Sequence, residues 1–118
     1  MSEEQFQAWK QATFDVVYRH FILERNPRST EGNRCQYRSA NGGKCAYGLF
    51  IPDALYALSM EGKRVHELAR LYPALGLSSK QVDWFQRLQG IHDSCVTLEL
   101  MKKDLLLVAH EEGLIVPS

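Results

Sequence analysis

Four residues of this chain could together hold a zinc ion: Cys35, Cys45, His92 and Cys95. Structural zinc takes four sulfur or nitrogen ligands in a tetrahedron. His92 and Cys95 are three positions apart, so on one helix they would share a face. Nine residues separate Cys35 from Cys45, however, whereas zinc knuckles place their cysteines two residues apart. The same residues are also explained as small buried apolar thiols and a hydrogen-bonded core histidine. We expect no cofactor, with zinc as the alternative.

A second chemistry open to these residues is nucleophilic catalysis by a thiolate. Cys45 or Cys35 would attack, His92 would act as the base and Asp93 would orient the imidazole. Successive residues of a helix project about 100° apart, so the sequence predicts poor geometry for a hydrogen bond between Asp93 and the His92 ring. We assign no catalytic residue, and the sequence favours a protein without catalysis.

Residues 25–44 contain five basic residues and a single acidic one, although the whole chain has fourteen of each sign. A solvated loop and hairpin edge would give this pattern, and so would a docking patch for an acidic partner. The candidate contact residues are Arg28, Arg34, Arg38 and Lys44.

A nucleic-acid-binding module built on the same segment is a further alternative, although the neutral net charge argues against binding held mainly by overall charge. Bases would then stack on aromatic side chains. The aromatic candidates are Trp9, Phe14, Tyr18, Tyr37, Tyr47, Trp84 and Phe85.

Helical periodicity covers most of the chain that must position these residues. Ser2 and Gln5 form a capping box, which predicts a helix from about Glu3 to Leu23, ended by Asn26-Pro27. Gly113 is the expected C-cap of the last helix. The other predicted helices cover residues 63–71, 80–92 and 95–112, with a further short helical segment after Pro52.

Residues 34–51 have a different period, because apolar residues fall at odd positions on both sides of Asn41-Gly42. This alternation predicts an antiparallel hairpin with a loop of odd length, such as residues 40–42, and a left-handed Gly42. The register places Tyr37 opposite Cys45 and Cys35 opposite Tyr47. The predicted fold is α+β: a single domain of residues 1–118, with four to five helices around this hairpin.

Length and composition are those of an ordinary globular domain, with 118 residues, 45% hydrophobic and 24% charged. The acidic start of the chain is unlike a secretory signal, and no apolar run is long enough to span a bilayer. Three cysteines without a signal indicate reduced thiols. We therefore expect a cytoplasmic location and no membrane partner.

Residues 34–93 contain several short motifs: Cys35-x-Tyr37-Arg38, Gly43-Lys44-Cys45-Ala46-x-Gly48-x-x-Ile51-Pro52-Asp53-x-x-Tyr56, Met60-Glu61-Gly62 and Leu88-Gln89-x-Ile91-His92-Asp93. Together they resemble a family of small uncharacterised proteins encoded by bacteriophages, prophages and bacteria. The family has no established activity, so the resemblance transfers no catalytic residue. It implies a phage-type accessory protein that binds a host macromolecule.

The missing catalytic set, the small size and this resemblance together predict a non-catalytic protein. We expect it to bind a host protein or protein complex in the host cytoplasm, as an inhibitor of a defence system such as CRISPR–Cas. The sequence leaves the oligomeric state and the identity of the partner open.

Overall fold

The computed structural model describes residues 1–31, 34–40, 42–94 and 97–118, without the side chains of residues 30, 31, 34 and 35. The described ranges contain four α-helices: α1 Glu3–Tyr18, α2 Val65–Leu71, α3 Ser79–Ser94 and α4 Leu98–Glu112. A π-helical turn, Arg19–Leu23, continues α1, and short 3-10 turns cover Tyr47–Phe50, Leu58–Met60 and Pro73–Leu75. None of the helices in these ranges has the length and apolarity that crossing a bilayer requires.

The prediction of an α+β fold around a hairpin of residues 34–51 is wrong, and the described chain is built from helices. Its extended structure is limited to the two-residue pair β1 Thr30–Glu31 and β2 Arg34–Cys35, with one isolated bridge between Arg38 and Lys44. Cys35 pairs with Thr30 rather than with Tyr47, and the predicted second strand is the helical turn Tyr47–Phe50.

The turn itself has the predicted register, because Arg38 pairs with Lys44 and the Tyr37 carbonyl accepts the Cys45 N–H at 3.2 Å. Gly42 is left-handed, with φ +85°, while Asn41 lies outside the described residues. After Cys45 the backbone turns helical, and Gly48 lies against the Tyr37 backbone. A Cβ at Gly48 would be 2.1 Å from the Tyr37 carbonyl oxygen. Residues 45–48 are buried consecutively, so burial here does not follow the alternation of a strand.

The chain divides into two compact units, and the first comprises Met1–Pro27 and Ser94–Ser118. The Ser2–Gln5 capping box begins α1 as predicted, and left-handed Gly113 ends α4. The middle of α1 is tied to the end of α4 by a 2.7 Å ion pair between Lys10 and Glu112. The buried side chains of this unit line one side of each helix: Phe14, Val17, Tyr18, Phe21, Met101, Leu105, Val108 and Ala109.

The second unit, Arg28–Asp93, packs α2 and α3 with the irregular segment between residues 28 and 64. An aromatic cluster lies at its centre, with ring centroids 4.7 Å apart for Tyr47 and Phe85 and 6.0 Å apart for Tyr37 and Tyr47. The other large buried side chains of this unit are Ile51, Met60, Val65, Leu68, Val82, Trp84 and Leu88. The expectation of a single domain over residues 1–118 stays a prediction.

Candidate functional site

His92, on α3, is buried and has hydrogen-bond partners at both ring nitrogens. Its Nε2 lies 3.2 Å from the backbone N–H of Ser29, and its Nδ1 lies 2.9 Å from Oδ1 of Asp93. An amide N–H can only donate, so Nε2 must be the acceptor. The proton of the neutral ring is then on Nδ1, which donates it to the Asp93 carboxylate. The lone pair that a base or a metal ligand needs is thus directed at an amide of the chain.

The expectation of poor geometry for a hydrogen bond between Asp93 and the His92 ring is wrong. The two residues lie near the C-terminal end of α3, and Asp93 Oδ1 accepts from the His92 ring and also from Gln89 Nε2, the latter at 2.7 Å. The angle between neighbouring Cα–Cβ directions did not exclude the contact, because the carboxylate oxygen bends back towards Nδ1. A His–Asp pair therefore exists, but it faces the backbone of residue 29.

Cys45 is fully buried, and its thiol has polar contacts within the chain. Its Sγ accepts the Gly48 N–H at 3.2 Å. Burial raises the pKa of the Cys45 thiol well above its ordinary value, although the Gly48 N–H and the Gln89 side chain act in the opposite direction. Since the thiolate is the reactive form, Cys45 is placed as a core residue and not as a nucleophile.

Gln89 connects the parts of this region. Its Oε1 accepts the backbone N–H of Tyr47 at 2.9 Å, while its Nε2 donates to Asp93. The Tyr47 ring is buried as well, and this burial raises the pKa of its hydroxyl to about 12. We use the term polar network for Gln89, His92, Asp93 and the Ser29 amide, which are linked by these bonds, together with Cys45, whose Sγ accepts the Gly48 N–H.

A carboxylate, Glu61, organises a second set of hydrogen bonds nearby. Its Oε1 accepts the Tyr37 N–H at 2.8 Å, and its Oε2 accepts the Arg38 N–H at 3.0 Å and the Tyr56 hydroxyl at 2.6 Å. The Tyr37 hydroxyl donates to the Lys63 carbonyl, and burial raises the pKa of that hydroxyl. Glu61 therefore fastens the segment before the turn to the segment before α2.

Two of the predicted contact arginines have polar contacts inside the second unit. Arg28 donates to the carbonyls of His92 at 2.7 Å and Asp93 at 2.9 Å, and so caps the C-terminal end of α3. Arg38 donates to the Ile51 carbonyl at 2.9 Å and to the Asp53 carboxylate at 2.7 Å, and its guanidinium lies over the Tyr56 ring. These side chains join segments of the chain.

Lys44 is half-buried, and its side chain makes no hydrogen bond or ion pair with the described residues. The side chains of Arg34 and Cys35, and the whole of Cys95, lie outside the described residues. Among the predicted site residues, the structure describes the side chains of Arg28, Arg38, Lys44, Cys45 and His92. The assignment of Arg28, Arg34, Arg38 and Lys44 to an interface stays a prediction.

The structure does not assemble a metal centre from the residues that it describes. In the described ranges, no three His, Cys, Asp or Glu side chains are grouped as a metal ion would require. Cys45 and His92 are both present in those ranges and both bonded within the polar network. The zinc alternative would need Cys35 and Cys95, on which the structure gives no side-chain information.

Six of the seven aromatic residues considered for base stacking are buried, and Trp9 is intermediate. Stacking on nucleic acid needs an exposed ring face.

A small depression of about 190 Å³ borders the polar network and is lined by Gln36, Tyr37, Gly62, Lys63, Arg64, Gln89 and Asp93. This volume is below the 300–1,000 Å³ of typical small-molecule sites.

Sequence reasoning missed the roles of Glu61 and Gln89, whose side chains bond to segments that are distant in the sequence. Both residues belong to the motifs that carry the family resemblance, together with Tyr37, Cys45 and His92. Their presence in the same motifs was the sequence signal that these residues share a structural role.

Comparison of the chain with protein-family models, curated proteins and solved structures returned no match. The geometry described above is therefore the basis on which a function can be argued.

Proposed function

We propose that this chain is a non-catalytic, phage-type accessory protein that binds a host macromolecular complex and inhibits a host defence system, as anti-CRISPR proteins do. The observation that carries the proposal is the state of His92 and Cys45. The two described residues best suited to chemistry are buried and hydrogen-bonded within the chain. A protein whose reactive groups are used in this way acts through its surface.

The choice of partner rests on the resemblance to phage- and prophage-encoded proteins. That resemblance implies a protein that binds a host macromolecule in the host cytoplasm. RNA-guided effectors are one such class, and they hold nucleic acid in positively charged channels. An inhibitor can block such a complex by covering a protein surface, without binding nucleic acid itself.

Within the predicted basic patch, Lys44 is the best position to test. Charge reversal at Arg28 would also break the hydrogen bond that caps α3. Charge reversal at Arg38 would break the bonds that join residues 51–53 to the turn. Lys44 has no such described contact, so a change there alters the surface charge alone. Lys103 on α4 is a matched control, because it is an exposed lysine without a described partner.

The test titrates the purified chain against an RNA-guided effector complex and follows cleavage of target DNA. We expect cleavage to fall in proportion to the amount of chain added and to reach its minimum near a fixed molar ratio. Longer incubation should not change that ratio. Complete inhibition by a small fraction of an equivalent, growing with time, would instead identify an enzyme. No inhibition at tenfold molar excess, across representative effector types, would overturn the inhibitor proposal.

The same titration tests the patch. Lys44→Glu should weaken inhibition by roughly tenfold and make it more sensitive to salt, because a charge at the rim of an interface steers association. Lys103→Glu should leave inhibition unchanged. Equal inhibition by both variants would remove Lys44 from the interface.

A further inference from the structure

The outer face of α1 and of the turn that follows it carries a regular series of exposed side chains. Val16 and Leu23 are each 44% exposed, although both are large and apolar. The opposite side of the same helix is buried at Phe14, Val17 and Phe21. The exposed series is Glu4, Ala8, Ala12, Val16, Arg19 and Leu23, which we call the outer face of α1.

This series is close to symmetric about Ala12. Ala8 and Val16 lie four residues to either side of it, and Glu4 and Arg19 lie eight and seven residues to either side. In an antiparallel pair of identical helices, facing residues have a constant sum of numbers. Centring the pair on Ala12 sets Ala8 of each copy against Val16 of the other. In the same arrangement Glu4 of each copy lies one position away from being directly opposite Arg19 of the other copy.

The charges on this face are complementary in such a pair. Fifteen residues separate Glu4 from Arg19, which is roughly 22 Å along a helix, so the two side chains cannot meet within one chain. Neither side chain makes a hydrogen bond or an ion pair with the described residues. A second copy related by a two-fold axis supplies the opposite charge at both ends.

We propose that the outer face of α1 binds a second copy of this chain, antiparallel, with the two-fold axis at Ala12. The alanines at the centre let the helices approach closely, and Val16 contributes apolar contact on both sides of the axis. The argument rests on the charge complementarity and on the exposed Val16 and Leu23, with the alanines permitting the contact. A single helix pair buries a small area, so the dimer dissociates on dilution.

Sedimentation velocity over a range of concentrations tests the dimer, with Ala12→Lys as the main variant. Lysine has a helix propensity close to that of alanine, so α1 is retained and circular dichroism checks it. Two lysines would face each other at the axis, and the dissociation constant should rise at least tenfold. Lys103→Glu changes charge on α4 and should leave the dimer intact.

A charge exchange tests the orientation. Glu4→Arg and Arg19→Glu should each weaken self-association, because each sets like charges opposite each other. The double variant should recover it, and an equimolar mixture of the two single variants should form a heterodimer, since every facing pair is then opposite in sign. This recovery is specific to an antiparallel two-fold contact.

Either of two results overturns the proposal. One is a monomer at every concentration up to the millimolar range. The other is a dimer that Ala12→Lys and the charge exchange do not alter, which would place the contact on another face, such as that of Leu100 and Leu107 on α4. Neither result bears on the proposed inhibition, which is measured separately.

Discussion

At the level of single residues, the polar network shows how groups with catalytic potential become structural ones. His92 is 1% exposed, and its Nε2 accepts the Ser29 N–H. Leaving a buried amide without an acceptor costs roughly 1–3 kcal/mol, so this bond opposes any use of Nε2 for another purpose. Cys45 is held in a similar way, because its Sγ accepts the Gly48 N–H.

Gly48 is the residue on which this packing depends most closely. A Cβ there would meet the Tyr37 carbonyl oxygen at 2.1 Å and Cys45 Sγ at 3.2 Å. The backbone atom cannot move without breaking the contact between Tyr37 and Cys45. Gly48→Ala should therefore lower the free energy of unfolding by about 1–3 kcal/mol, measured by urea denaturation followed through tryptophan fluorescence.

Gly90 on α3 is the matched control, because a Cβ there would meet no atom within 4 Å. Gly90→Ala should raise the free energy of unfolding by about 0.5–1 kcal/mol, since alanine is the better helix former. Equal effects of the two substitutions would show that Gly48 is not in close contact with Tyr37.

At the level of elements, Glu61 joins two segments that have little regular structure of their own. Its carboxylate accepts hydrogen bonds from two backbone amides and from the Tyr56 hydroxyl. Each bond to a charged acceptor contributes more than a neutral one. The segments that include Tyr37 and Met60 thus depend on a side-chain contact where a sheet would use backbone pairing.

Glu61→Gln keeps the size of the side chain but turns an NH₂ group towards donors. We expect a loss of about 1–3 kcal/mol in the free energy of unfolding. Tyr56→Phe removes one donor and leaves the carboxylate, so its loss should be smaller, about 0.5–1.5 kcal/mol. Chemical denaturation of both variants measures the difference, and a larger loss for Tyr56→Phe would contradict the assigned role of Glu61.

Local signals predicted the helices, because a helix start or stop depends on a few adjacent residues. Ser2 with Gln5 and left-handed Gly113 lie where their residue types indicated. The predicted hairpin arms were wrong because the chain turns helical after Cys45 and buries residues 45–48 consecutively. The turn between Arg38 and Lys44 keeps the predicted register. The roles of Glu61 and Gln89 depend on partners 23 to 42 residues away, which no local pattern encodes.

At the level of the whole molecule, the buried Cys45 thiol and the buried Tyr37 and Tyr47 hydroxyls make the free energy of unfolding depend on pH in the alkaline range. Burial raises the pKa of Cys45 above the ordinary thiol value of 9.0, and Tyr37 and Tyr47 are raised from 10.0. Above these ordinary values the unfolded chain loses protons that the folded chain keeps. The folded state then binds more protons, so stability is full below pH 9 and falls as the pH rises.

Each such proton adds a slope approaching about 1.4 kcal/mol per pH unit. Cys45→Ala removes one of them, so its free energy of unfolding should fall less steeply between pH 9 and 11 than that of the unchanged protein. Denaturation at a series of pH values under reducing conditions measures the two slopes. Parallel slopes would mean that the Cys45 thiol is not protected from ionisation by the fold.

The state of the His92 ring tests most directly the claim that these residues serve the structure. Long-range ¹H–¹⁵N correlation spectra distinguish a protonated ring nitrogen from an unprotonated one. We predict a proton on Nδ1, an unprotonated Nε2, and signals from His92 that do not change when one equivalent of zinc is added. A proton on Nε2, or a zinc-dependent shift of that nitrogen, would contradict the account.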